Sequence, residues 1–295
     1  MKWEGNRESD NVEDRRDDGG GGGGGGGFGL GGGSIGIGTI AIALVASWFF
    51  GVSPGTVLNL LSGGGGQPAQ VQQAPARHPP ANDQMAKFVG TVLADTEDVW
   101  TELFRASGAT YAKPKLVLFS GQTPTSCGTG QTATGPFYCP GDQKVYIDLS
   151  FYRLMQQRFH VNGEFAQAYV IAHEVGHHVQ NLMGISRKVD AARGKASEAQ
   201  ANALSVRLEL QADCFAGVWA FHANESRSIL ENGDVETALN AASAIGDDAL
   251  QKQARGYVVP DSFTHGSSAQ RVRWFKRGID SGKVSACNTF ETKAL

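Results

Sequence analysis

The hydrophobic pattern changes character twice along the chain. Up to residue 33 apolar side chains are sparse, whereas from Ser34 to Val52 the chain reads SIGIGTIAIALVASWFFGV and stays uncharged on through Leu61. A bilayer core of about 30 Å takes roughly 20 apolar residues to cross. Residues 34–61 are therefore read as a single transmembrane anchor region, with Trp48, Phe49 and Phe50 placed for one interface. Beyond residue 83 the pattern becomes periodic. Asn82 or Asp83 caps a helix that carries Met85, Phe88, Val89, Val92, Val99, Trp100, Leu103 and Phe104 at helical spacing. Leu116–Phe119 reads as a buried strand, and Lys144–Leu149 (KVYIDL) alternates as a strand with one buried face. Helices are expected at about 163–183, ended by Gly184, at about 197–221, and at 234–255. Ser267 and Gln270 form a capping box that opens a last helix with Val272, Trp274 and Phe275. A few strands followed by several helices is an α+β plan.

Composition divides the chain further. Of its 40 glycines, 22 fall in the first 66 residues, and four of its ten prolines lie between Pro68 and Pro80. Residues 1–33, mixed in charge and then glycine-rich, read as a disordered cytoplasmic tail, and residues 62–83 as a Gly/Pro/Gln-rich linker. Residues 84–295 are left for one folded domain. Lys2, Arg7, Arg15 and Arg16 precede the apolar run and no basic residue follows it until Arg77. The positive-inside rule then puts the N-terminus in the cytoplasm and the domain outside, in the periplasm if the cell has one. After Asp83 acidic and basic residues balance at 21 each, which leaves no electrostatic footprint for nucleic acid. Outside the cytoplasm an even cysteine count suggests disulfides. Four cysteines allow three pairings; the expected one joins Cys127 to Cys139 across a Gly/Thr-rich loop, and Cys214 to Cys287.

The chemistry concentrates in His173-Glu174-Val-Gly-His177-His178. Residues four apart share a helix face, so His173 and His177 converge on one ion, while Glu174 sits beside it as a base for water. A catalytic zinc needs a third protein ligand. Gln180 and Met183 stand where a Gly and a third His would extend the motif, so the ligand comes from elsewhere. Glu209, in RLELQADCFAGVWAF on a later helix, fits, and Asp213 one turn on fits as the acceptor of a ligand histidine's free ring N–H. His265 is the first choice for a donor to the oxyanion and Arg271 the second. His178, His160 and His222 read as packing or surface residues. The KVYIDL strand is the expected edge for holding an extended peptide.

These motifs, together with the GPFYCP loop, VYIDLSF and THGSSAQR, resemble the bacterial neutral zinc metallopeptidases of the YpfJ-like type over most of the chain. The resemblance implies a zincin-like fold. It also implies one Zn2+ per chain on His173, His177 and Glu209, with Glu174 catalytic. The function expected is a membrane-anchored peptidase that hydrolyses peptide bonds by zinc-activated water with a Glu general base, acting on a peptide or protein substrate. Two alternatives are a zinc-binding adaptor that captures peptides without catalysis, and a zinc amidase acting on a non-peptide envelope substrate. The resemblance supplies no substrate.

Overall fold

A computed structural model describes residues 1–18, 77–132, 135–292 and 294–295. Its centre is a four-stranded sheet in the order β1-β2-β6-β5, built from β1 (Val12–Asp14), β2 (Lys115–Phe119), β5 (Phe137–Cys139) and β6 (Lys144–Asp148). The first three strands across are parallel and β5 is antiparallel to β6. A separate hairpin, β3 (Gln122–Thr125) with β4 (Gly128–Gln131), leads into β5. Leu116, Leu118, Val145 and Ile147 belong to the main hydrophobic core, which also receives the helices. Val117, Phe119 and Tyr146 form a smaller cluster with Cys139. Opposite faces of each strand thus pack on different partners, as period-2 alternation requires.

The helices, among the described residues, are α1 (Gln84–Ala106), α2 (Ser150–Phe159), α3 (Glu164–Leu182), α4 (Ile185–Arg193), α5 (Glu198–Arg227), α6 (Asp234–Ala244), α7 (Asp247–Arg255) and α8 (Ser268–Ser281). Asp83 caps α1 by accepting from the Ala86 N–H, and both Ser197 and Ser267 open their helices with complete capping boxes. The helix expected over 234–255 is broken in two at Gly246. A Cβ there would lie 2.4 Å from the backbone nitrogen of Ser268, so the chain turns where another backbone touches it. Helical periodicity on either side carries no trace of that constraint. The two expected disulfides are present, Cys127–Cys139 and Cys214–Cys287. The second ties the C-terminal residues to α5.

Two glycine contacts set how the helices cross. At Gly176 a Cβ would stand 3.0 Å from the Ala212 carbonyl oxygen, so α3 and α5 meet nearly backbone to backbone. At Gly278 a Cβ would fall 2.9 Å from the Val218 nitrogen, which brings α8 equally close to α5. Small residues at both crossings let three helices converge within side-chain reach of one point.

Two expectations are corrected here. The KVYIDL strand is no edge. It lies between β2 and β5, because the Cys-bounded loop folds back to supply β5, whose outer side then becomes the margin of the sheet. Residues 1–18 are not a loose tail either. Val12 pairs with Leu116 in register, the Leu116 N–H donates to Asn11 O and the Arg15 N–H to Leu118 O. Trp3 packs edge-on against Phe88 at 5.4 Å. Glu97, in the middle of α1, accepts from Ser9 Oγ at 2.6 Å and from Asn11 Nδ2 at 2.7 Å. The segment looks disordered by composition because it is polar; its charges are matched to partners far along the chain. The expected anchor at 34–61 lies outside the described residues. No described helix is long and apolar enough to cross a membrane.

Glu13 gives this docking a pH signature. Burial works to raise its carboxyl, but Lys144, Lys115 and Arg15 outweigh that and hold it down to about 2, against an ordinary 4.5. A depressed carboxyl stabilises the fold above its unfolded pKa and loses that contribution as pH falls through the folded one. Glu13→Gln is therefore expected to speed amide exchange in β1 at neutral pH, with the difference from the parent fading as pH falls towards 2. Equal exchange in the two proteins at neutral pH would remove Glu13 from this role.

Candidate metal centre

The apolar face of α3 is buried along almost its whole length, which fixes the rotation of the helix and turns His173 and His177 towards α5. Their rings stand 4.8 Å apart, nearly perpendicular. From α5, Glu209 reaches both: Oε2 lies 3.2 Å from His173 Nε2 and Oε1 lies 3.4 Å from His177 Nε2. One ligand atom from each of the three residues falls within 4.8 Å of the others.

These separations suit a zinc ion. Tetrahedral bonds of about 2.0–2.1 Å place neighbouring donor atoms about 3.3–3.4 Å apart. The ring nitrogens facing away are both engaged. His173 Nδ1 is 2.8 Å from Asp213 Oδ1, and His177 Nδ1 is 2.9 Å from Gln180 Oε1. Each acceptor fixes the N–H on Nδ1, so both Nε2 lone pairs point into the centre, the tautomer a metal requires. Gln180 was not identified from the sequence as a partner of His177. Its signal was its place three residues after a ligand histidine, on the same helix face. Its own amide is fixed by donating to Leu208 O at 2.7 Å and to Gln211 Oε1 at 3.1 Å.

Asp213 is fully buried and accepts three hydrogen bonds from two side chains besides His173. Tyr169 donates to Oδ1 at 2.5 Å, Arg271 Nη2 donates to Oδ1 at 2.9 Å, and Arg271 Nε donates to Oδ2 at 3.0 Å. Burial pushes this carboxyl up, but Arg271 and then His173 outweigh it and keep the group ionised. Such a buried charge is tolerated because it is paired and hydrogen-bonded. Arg271 thereby supports the centre through Nε and Nη2. The residue is 3 % exposed, and its Nε and Nη2 are committed to Asp213, with Nη2 also 3.3 Å from the Tyr169 hydroxyl. It holds the carboxylate that supports His173. The sequence showed Tyr169 only as one of many apolar positions of α3.

Glu174 is 7 % exposed, and among the described residues nothing hydrogen-bonds to its carboxylate. Burial raises its pKa, with His173 and His177 opposing. A carboxyl shifted upward in this way is suited to exchanging protons near neutrality. The Tyr152 hydroxyl, whose pKa burial and then the Glu174 charge push up, is buried without a partner among the described residues.

His265 lies on the loop before α8. Asp247 at the start of α7 organises that loop: its Oδ2 accepts from the N–H groups of Thr264 at 2.8 Å, His265 at 2.6 Å and Gly266 at 3.0 Å. The other oxygen stands 3.3 Å from His265 Nδ1. That hydrogen bond, against some burial, raises the imidazole's pKa, and the Glu209 carboxylate adds to the effect. With Nδ1 engaged, Nε2 is the nitrogen left for another group.

Among the other histidines His178 is buried, His222 half-buried and His160 exposed. His178 is turned away from the centre, within 2.6 Å of Ala112 O and 3.0 Å of Tyr138 on β5. His222 stands 2.8 Å from Gly282 O, and His160 ends α2 in the left-handed conformation.

Residues 1–290 match the family described as "Putative neutral zinc metallopeptidase". The Escherichia coli K12 protein "Uncharacterized protein YpfJ" is 54% identical over 291 residues, covering 98% of this chain and 99% of that one. "Uncharacterized protein Rv2575" of Mycobacterium tuberculosis H37Rv is 44% identical over 196 residues, covering 63% of this chain and 65% of its own length. No solved structure matches. The match spans nearly the whole chain, which therefore belongs to the family described as "Putative neutral zinc metallopeptidase".

Proposed function

We propose that the protein is a zinc-dependent peptidase of zincin type that cleaves extended peptides. The observation that carries this reading is the convergence of His173 Nε2, His177 Nε2 and Glu209, with both Nδ1 atoms tied to Asp213 and Gln180. Three protein ligands and a fourth position for solvent is the pattern of catalytic zinc, whereas structural zinc is closed by four. Held there, a zinc ion supplies the Lewis acidity that lowers the pKa of water towards 7.

Glu174 accepts the proton of the attacking water and passes it to the departing amine, as its raised pKa suits. Nε2 of His265 donates to the oxyanion, while Asp247 holds the ring and keeps its proton. The outer side of β5 takes the peptide by strand addition. Tyr138 of β5 leans on α3 through its contacts with His178 and Asn181, which puts that margin beside the metal helix. Both disulfides suit an oxidising compartment outside the cytoplasm, and the run at 34–61 would keep the enzyme at a bilayer.

Digestion of a peptide library by the full-length protein tests this. The full chain is required because β1 is part of the sheet. Cleavages that disappear with a chelator and return with added zinc are expected. No cleavage by the zinc-loaded protein, or cleavage indifferent to chelator, would overturn the reading.

A further inference from the structure

The N-terminal strand constrains membrane topology, independently of what the metal centre does. β1 is a parallel neighbour of β2, so residues 12–14 and 115–119 share one sheet. The two ends of the chain between Asp18 and Arg77 also lie together. The Asp14 N–H donates to Arg77 O at 2.7 Å, in an isolated antiparallel bridge. Arg16 joins them further, since Nη1 lies 2.6 Å from Asp83 Oδ2 at the cap of α1. Whatever path residues 19–76 take, it leaves the domain and returns to it at the same place.

A single crossing would put residues 1–18 on one side of the bilayer and residues 77–295 on the other, and β1 could not then pair with β2. Two crossings would restore the pairing, but they need about 40 apolar residues and a turn. Between Asp18 and Arg77 only the run Ser34–Leu61 is apolar; its flanks are glycine, or glycine, proline and glutamine. We infer that residues 1–18 and the metal-centre domain occupy the same side of the membrane.

Three of the four basic residues that pointed the N-terminus inward have partners within the domain. Arg7 pairs with Glu97 at 3.2 Å and Asp98 at 2.6 Å, Arg15 with Glu13 at 2.9 Å, and Arg16 with Asp14 and Asp83. These residues thus belong to a segment folded into the domain rather than to a free loop flanking a span. The family match, which begins at residue 1, includes this segment.

The test uses single cysteines in the full chain, since all four native cysteines are in disulfides. Glu4→Cys reports the N-terminal segment and Glu102→Cys reports α1; both sites are exposed. Spheroplasts are treated with a membrane-impermeant maleimide, with and without detergent. The two positions are expected to label alike in intact spheroplasts, both reactive or both protected, and to become equally reactive once the membrane is opened. Labelling of one position with protection of the other in intact spheroplasts would overturn the inference and restore a single crossing.

Discussion

Glu174→Gln is expected to lower peptide hydrolysis by about 10²–10⁴-fold, the usual contribution of a positioned general base, while zinc stays bound. Glutamine keeps the size and polarity of the side chain but cannot take a proton from water. The site is 7 % exposed, so an external buffer does not easily substitute. His173, His177 and Glu209 are untouched by the change, and elemental analysis should give the same zinc content as the parent. Turnover close to the parent's would remove Glu174 from the mechanism. The same variant separates the peptidase from a peptide-capturing adaptor, which would hold peptides equally well with either residue.

Glu209→Ala is expected to empty the centre. With this carboxylate gone, the His173 and His177 Nε2 atoms lose the donor that now stands 3.2 and 3.4 Å from them. Loss of a supporting outer partner typically costs 10–100-fold in metal affinity; loss of a ligand should exceed that. Burial works to raise the pKa of Glu209, and the two imidazoles more than reverse it, so the group is a carboxylate ready to bind a cation. The fold should survive, because Asp213, Arg271 and Tyr169 hold α3, α5 and α8 together without Glu209. A competitive zinc titration alongside circular dichroism checks both points. Undiminished affinity with a native spectrum would show that the third ligand is another residue.

Much of the centre was legible in the sequence because it rests on helical spacing. His173 and His177 are four apart on a strongly apolar helix, and Glu209 and Asp213 are four apart on another. Local periodicity fixes such faces, and burial made unpartnered carboxylates costly enough to demand a role. What escaped depends on contacts between distant segments. Gly176 and Gly278 read as ordinary helix residues until the partner backbones appear at Ala212 and Val218. The pairing of Arg271 with Asp213 is likewise encoded by no spacing. β1 was hidden for the opposite reason. Its residues are polar, and their order comes from Glu97, Lys115 and Lys144, which lie about a hundred residues away in sequence. The break at Gly246 and the interior position of β6 belong to the same class, where tertiary contact overrides local pattern.

X-ray absorption at the zinc edge on the purified full-length protein, repeated on Glu209→Ala, tests the central claim most directly. The account predicts a low-coordinate shell of nitrogen and oxygen at about 2.0–2.1 Å with two imidazoles, and loss of one oxygen scatterer or of the metal itself in the variant. A shell containing sulfur, or one that is the same with and without Glu209, would contradict it.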